Sequence, residues 1–89
     1  MSKPSFELGR LVISKQGRDA GRPFVIIEML ESGYVLIADG DLRKTERPKK
    51  KKVKHLIPKP VLLTIETNTG NSEIRKAIQA SLTQIGLKS

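Results

Sequence analysis

Apolar residues occur in short runs along this chain, and polar turns separate the runs. The first two runs, residues 11–13 and 24–27, are rich in β-branched side chains and flank a polar turn that contains Gly17 and Gly21. Short runs of this kind, bounded by turn residues, are typical of strands. The pattern predicts a β-hairpin over residues 9–28, in which both glycines serve the turn because glycine adopts a positive φ without steric cost.

Three further strands and one helix are predicted after this hairpin. Residues 34–38, 53–57 and 61–65 form the remaining short runs, which gives five strands in all. In residues 73–85 the apolar side chains recur every three or four positions, as in an amphipathic helix. That stripe consists of Ile74, Ala77, Ile78, Leu82 and Ile85. We expect a mainly β fold, a small five-stranded barrel with one C-terminal α-helix packed on it.

The composition changes abruptly after the third strand. Residues 41–52 hold a single apolar side chain, one proline and four consecutive lysines, so this stretch cannot bury enough surface to fold by itself. We expect a mobile basic loop over residues 41–54. The predicted layout is a barrel in residues 1–66, followed by a loop and the amphipathic helix in residues 67–89.

The net charge of +8 is concentrated in one segment. Residues 43–60 contain nine cations against one acid, and the rest of the chain contains eight of each. A local excess of this kind is expected for a protein that binds a polyanion, because each cation placed near a phosphate releases condensed counterions. The plainer interpretation is a solvated loop that aids solubility.

The chain offers little for catalysis. His55 is the only histidine, cysteine is absent, and the acids are scattered singly, so no nucleophile, metal ligand set or nucleotide-binding loop is predicted. We therefore expect no enzymatic activity, no cofactor, no metal and no small-molecule substrate. Three aromatic residues, Phe6, Phe24 and Tyr34, do not suggest a platform for stacking bases. No apolar run has the length of a signal peptide core or a membrane span, so a cytoplasmic location without membrane contact is expected.

The turn of the opening hairpin carries a resemblance. Residues 17–22 (GRDAGR), between two apolar strands, resemble a KOW motif, in which a basic loop ends at a fixed glycine, here Gly21. The chain is similar to the single-KOW large-subunit ribosomal proteins of archaea and eukaryotes and to small bacterial KOW-domain proteins related to them. This resemblance implies an SH3-like barrel that usually binds RNA, often ribosomal RNA, and in some families binds proteins instead.

Together the charge and the resemblance predict an RNA-binding module associated with the ribosome. Ribosomal RNA is the expected partner, and ribosomal or transcription proteins are further candidates. Two alternatives remain open: a protein-interaction module like the KOW domains of NusG-type transcription factors, and a non-specific binder of duplex nucleic acid. The predicted RNA-contacting residues are Lys15, Arg18, Arg22, Arg43, Lys44, Arg47, Lys49, Lys50, Lys51, Lys52, Lys54 and His55.

Overall fold

A computed structural model describes residues 4–66 and 69–84 of the chain. The sheet contains five strands in the order β4-β3-β2-β1-β5, and every neighbouring pair is antiparallel. The prediction of a mainly β fold with five strands and a C-terminal helix is confirmed. The elements are β1 (Arg10–Ser14), β2 (Pro23–Met29), β3 (Tyr34–Ala38), β4 (Lys49–Lys52), a 3₁₀ turn (Val53–His55), β5 (Leu56–Leu62) and α1 (Asn71–Gln84).

The two edge strands show how strongly the sheet is curved. In a flat five-stranded sheet, β4 and β5 would lie four strand spacings apart, or ~19 Å. Only the 3₁₀ turn separates these strands along the chain, and four residue steps span at most ~14 Å. The backbone amide of Val53 donates to Gly33 O at 2.9 Å, and the amide of Lys15 donates to His55 O at 2.9 Å. The sheet therefore curls until its two edges approach, as in a small barrel.

The fourth strand differs from the expected basic loop at residues 41–54. Within that stretch the four lysines form β4, which pairs with β3 from Ile37↔Lys49 to Tyr34↔Lys52. The physical reason is that this strand obtains its partners from distant parts of the chain, and local composition does not reveal them. Residues 41–48 keep the character of a connecting segment between β3 and β4.

The last strand also differs from its prediction. Strands were expected at residues 53–57 and 61–65, but residues 53–55 form the 3₁₀ turn and β5 runs from Leu56 to Leu62 through Pro58 and Pro60. Proline lacks the backbone donor that a central strand needs. It is tolerated in β5 because this strand lies at the edge of the sheet and pairs with β1.

Apolar side chains form two clusters, one on each face of the sheet. One cluster consists of Val12, Phe24, Ile26, Val35, Ile37 and Leu56, and the other of Leu11, Val25, Ile74, Ile78 and Leu82. Because neighbouring strand residues point to opposite faces, Leu11 joins the cluster under α1 and Val12 joins the barrel interior. The predicted packing of the helical stripe is confirmed for its three members in the second cluster, and Ala77 is half-buried. Ile85 lies outside the described residues.

The start of α1 is held against the segment between β3 and β4. Asn71 Oδ1 accepts a hydrogen bond from the backbone amide of Thr45 at 2.8 Å, and Asn71 Nδ2 donates to Glu46 Oε1 at 2.7 Å. Gly40 has a φ of +77°, and a Cβ at this position would clash with the Asn71 carbonyl oxygen. This close approach fixes the helix beside the end of β3. Within residues 4–66 and 69–84, no helix has both the length and the hydropathy needed to cross a membrane.

Candidate nucleic-acid interface

Backbone hydrogen bonds extend the β1–β2 hairpin into the loop that joins the two strands. The amide of Ser14 donates to Arg22 O at 3.0 Å, and the amide of Gly21 donates to Ser14 O at 2.8 Å. Gly17 and Gly21 have φ values of +88° and +86°, in the region that favours glycine. The loop is therefore a tight turn with a defined shape, and Lys15 and Arg18 are exposed on it.

Asp19 lies at the centre of this loop and binds two lysines of β4. Its Oδ2 accepts a hydrogen bond from Lys49 Nζ at 3.0 Å, and its Oδ1 accepts from Lys51 Nζ at 3.2 Å and from Ser14 Oγ at 3.0 Å. Lys51 Nζ also donates to Gln16 O at 3.0 Å. The carboxylate therefore joins the loop to a strand thirty residues further along the chain.

The ionisation of Asp19 reflects these contacts. Partial burial raises the pKa of its carboxyl, but hydrogen bonds from Lys49, Ser14 and Lys51 and the charge of Lys51 outweigh that effect and lower the pKa to about 2. The carboxylate side chain is 13% exposed and that of Lys51 is 9% exposed. At neutral pH the two side chains therefore form a largely enclosed ion pair, which is stronger than a pair in open solvent.

The four lysines of β4 divide into two sets, because successive side chains of a strand point to opposite faces. Lys49 and Lys51 point toward Asp19. Lys50 and Lys52 lie over the ring of Tyr34, with their Nζ atoms 4.6 Å and 5.4 Å from the ring centroid. A lysine run that local composition assigns to a mobile loop is thus anchored on both faces.

A second ion pair joins the end of the hairpin loop to the segment after β3. One terminal nitrogen of Arg22 lies 3.5 Å from Asp39 Oδ2. The other carboxylate oxygen of Asp39 accepts hydrogen bonds from the amides of Asp41 at 2.9 Å and Arg43 at 2.8 Å. Asp39 therefore shapes the turn that carries Arg43 and also holds Arg22, whose guanidinium is only partly available to a ligand.

The candidate surface consists of the exposed cations of the two basic segments, residues 15–22 and 43–54. Seven predicted RNA-contacting residues are exposed: Lys15, Arg18, Arg43, Lys44, Arg47, Lys50 and Lys54. In the part of the chain that the structure describes, none of them forms an ion pair with a carboxylate. Arg22, Lys49, Lys52 and His55 are half-buried, and Lys51 is buried. The two basic segments, residues 15–22 and 43–54, are in direct contact through Asp19 and Asp39.

His55 lies within this positive region. Desolvation lowers the pKa of its imidazole, and the charges of Lys54, Lys51, Lys52 and Lys15 lower it further. At neutral pH the ring is therefore uncharged, and it can offer a single hydrogen-bond donor and a single acceptor. His55 adds polar contacts to the surface but no charge.

Sequence reasoning did not identify three residues that organise the surface, namely Asp19 and Asp39 as anchors and Tyr34 as a support for lysines. The one feature of the sequence that pointed to Asp19 was its place as the single acid among the cations of the hairpin loop. Among residues 4–66 and 69–84, no group of three or more histidine, cysteine or acidic side chains could hold a metal ion.

Comparison with known proteins identifies the family. No protein-family model matches the chain. It is 30% identical to large ribosomal subunit protein eL14 of Staphylothermus marinus, over 91% of this chain and 85% of the relative. The eL14 of Sulfolobus acidocaldarius is also 30% identical, over 88% and 81%, and that of Hyperthermus butylicus is 29% identical, over 85% and 78%. Because relatives that are 30% identical match most of both chains, the chain belongs to the eL14 family of large ribosomal subunit proteins.

Proposed function

We propose that this protein is a ribosome-associated RNA-binding component that contacts phosphates of ribosomal RNA through the exposed cations of its two basic segments. The observation that supports the proposal is the direct contact between those segments through Asp19 and Asp39. Its relatives are named as large ribosomal subunit proteins, which supports a structural, non-catalytic role on cytoplasmic ribosomes.

The candidate surface combines arginines with lysines. Arg18 lies on a tight turn, and its planar guanidinium can form two parallel hydrogen bonds to one phosphate. Lys44 and Arg47 are exposed on the longer segment before β4, where lysine acts as a flexible point charge. We assign shape selectivity to the hairpin loop and general affinity to the longer segment.

The proposal includes two finer statements that rest on the sequence. The hairpin with Gly21 at the end of its loop acts as a KOW-type RNA-binding element, as the motif implies. Residues 1–66 form the RNA-binding barrel, and residues 67–89 supply the loop and helix that brace it. The likeness to small bacterial KOW-domain proteins stays a prediction.

Filter binding across a salt series tests the proposal. The two RNAs are a structured ribosomal RNA fragment and a random duplex that carries the same number of phosphates. Replacing Arg43, Lys44 and Arg47 together with glutamine should weaken binding to both RNAs and flatten the salt dependence by about two to three units of slope. The control is Lys76→Gln, which removes an exposed cation of α1, outside the two basic segments.

Two outcomes of these measurements would contradict the proposal. If the triple variant and Lys76→Gln have the same salt dependence as wild type, the longer segment does not contact RNA. If the wild-type protein binds neither RNA and does not sediment with ribosomes on a sucrose gradient, the proposed function is wrong.

A further inference from the structure

Tyr34 has an unusual environment for a strand residue. It begins β3 and pairs across the sheet with Lys52, and the ammonium groups of Lys50 and Lys52 lie 4.6 Å and 5.4 Å from its ring centroid. An ammonium group above an aromatic ring is attracted by the ring quadrupole. Two ammonium groups near the same ring also repel each other, so the arrangement favours the arrival of a negative charge.

The position of Tyr34 on the sheet keeps this ring away from the part of the face that α1 covers. Directly paired residues point to the same face, so the pairs Val25↔Ala38 and Tyr34↔Lys52 define the outer face of the sheet. Helix α1 packs over Val25 at one end of that face. Tyr34 is half-buried at the opposite end of β3, and Lys50 beside it is exposed.

We propose that Tyr34, Lys50 and Lys52 form a stacking site for one unpaired nucleotide of the bound RNA. The base stacks on the phenol ring, and the two lysines turn from the ring to the phosphates on either side of that nucleotide. This inference rests on the proposed function and adds a nucleotide class to it. It also changes the expectation that the few aromatic residues offer no place for a base.

Two physical arguments favour a base over the lysines as the final occupant of the ring. A base contacts the ring over its whole face, and stacking of this kind tolerates any base because every base has a π-face. The displaced ammonium groups lose a weak cation–π contact and gain charge-assisted hydrogen bonds to phosphate. The plainer alternative is that the lysines only cover an apolar ring at the end of a strand.

The protein carries its own reporter for the test. Tyr34 is the only tyrosine and the chain has no tryptophan, so the intrinsic emission of the protein comes from this one ring. We would titrate the full chain with a short oligoadenylate and with an RNA duplex matched in phosphate number, and correct for RNA absorption. The single strand should quench the emission, and the duplex should leave it nearly unchanged.

Substitution separates stacking from charge. Tyr34→Leu should lower affinity for the oligoadenylate about tenfold and leave duplex affinity unchanged, whereas Tyr34→Phe should retain both affinities because the ring remains. Equal quenching by both RNAs, or an unchanged affinity ratio in a folded Tyr34→Leu variant, would overturn the stacking site. If Tyr34→Leu does not fold, the NMR spectrum of the wild-type protein provides the test. An upfield shift of the Tyr34 ring protons on binding oligoadenylate would support the stacking site, and its absence would refute it.

The two proposals fail in different ways. Wild-type protein that binds neither RNA refutes the proposed function together with the stacking site. Wild-type protein that binds both RNAs without any response of the Tyr34 ring refutes the stacking site alone.

Discussion

Replacing Asp19 with asparagine should reveal what the ion-paired carboxylate contributes to the fold. The substitution keeps the size of the side chain and removes the charge that faces Lys49 and Lys51. A carboxyl whose pKa falls from 3.8 to about 2 on folding contributes about 2 kcal/mol to the free energy of unfolding at neutral pH, since one pKa step corresponds to about 1.4 kcal/mol. In a domain of this size that loss lowers the melting temperature by about 10 °C.

The pH dependence of this stability difference is a sharper test than its size at neutral pH. Because folding lowers the pKa of Asp19, its contribution is complete above about pH 5 and disappears as the pH falls from 3.8 toward 2. Thermal unfolding of wild type and Asp19→Asn should therefore differ at pH 7 and converge near pH 2. The matched control is Glu31→Gln, which changes an exposed acid without an ion pair among the described residues.

The same substitution should change RNA binding in the opposite direction. Without the carboxylate, Lys49 and Lys51 become available to phosphates, so binding to random duplex should strengthen and its salt dependence should steepen by about one to two units. A stability difference that is the same at pH 7 and pH 2 would show that the carboxylate charge is not responsible. Unchanged stability at pH 7 would refute the argument as a whole.

Three further predictions concern the backbone and the helix. Gly21→Val should destabilise the fold by about 1–3 kcal/mol and Gly21→Asn by less, because a β-branched residue is poorly accommodated at positive φ; equal melting temperatures would contradict this. Gly40→Ala should cost more than Gly21→Ala in urea unfolding, since of these two positions Gly40 alone would bring a Cβ against a backbone oxygen; the reverse order would contradict the observed contact with α1. Ile78→Ala should lower the unfolding free energy by about 2–4 kcal/mol, because the side chain is buried beneath the helix, and a loss below 1 kcal/mol would show that α1 packs loosely.

The sequence was most informative where local pattern and burial agree. Strands β1 to β3 and helix α1 combine apolar periodicity with turn residues, and the structure has them close to the predicted positions. The positive φ of Gly21 followed from its place at the end of a short loop. In each case the side chains that determine the conformation lie within a few residues of one another.

The fourth strand could not be predicted because its partners are distant. Lysine has little preference for strands, and β4 forms because Asp19 and Tyr34 receive its alternating side chains. The last strand was divided in two because its prolines look like breakers, although an edge position admits them. The same long-range contacts define the candidate site, so its anchors were missed while its exposed cations were identified.

All four residues of β4 are lysines, so the side chains of this strand do not define its register against β3. A shift by one residue would exchange the lysines that face Asp19 for those that face Tyr34, and three of the four paired positions would still hold a lysine. The alignment must therefore come from the flanks, where Val53 packs against the barrel interior and bonds Gly33 O. A polar residue in place of Val53 would remove the apolar part of this restraint and leave only the backbone bond to Gly33 O.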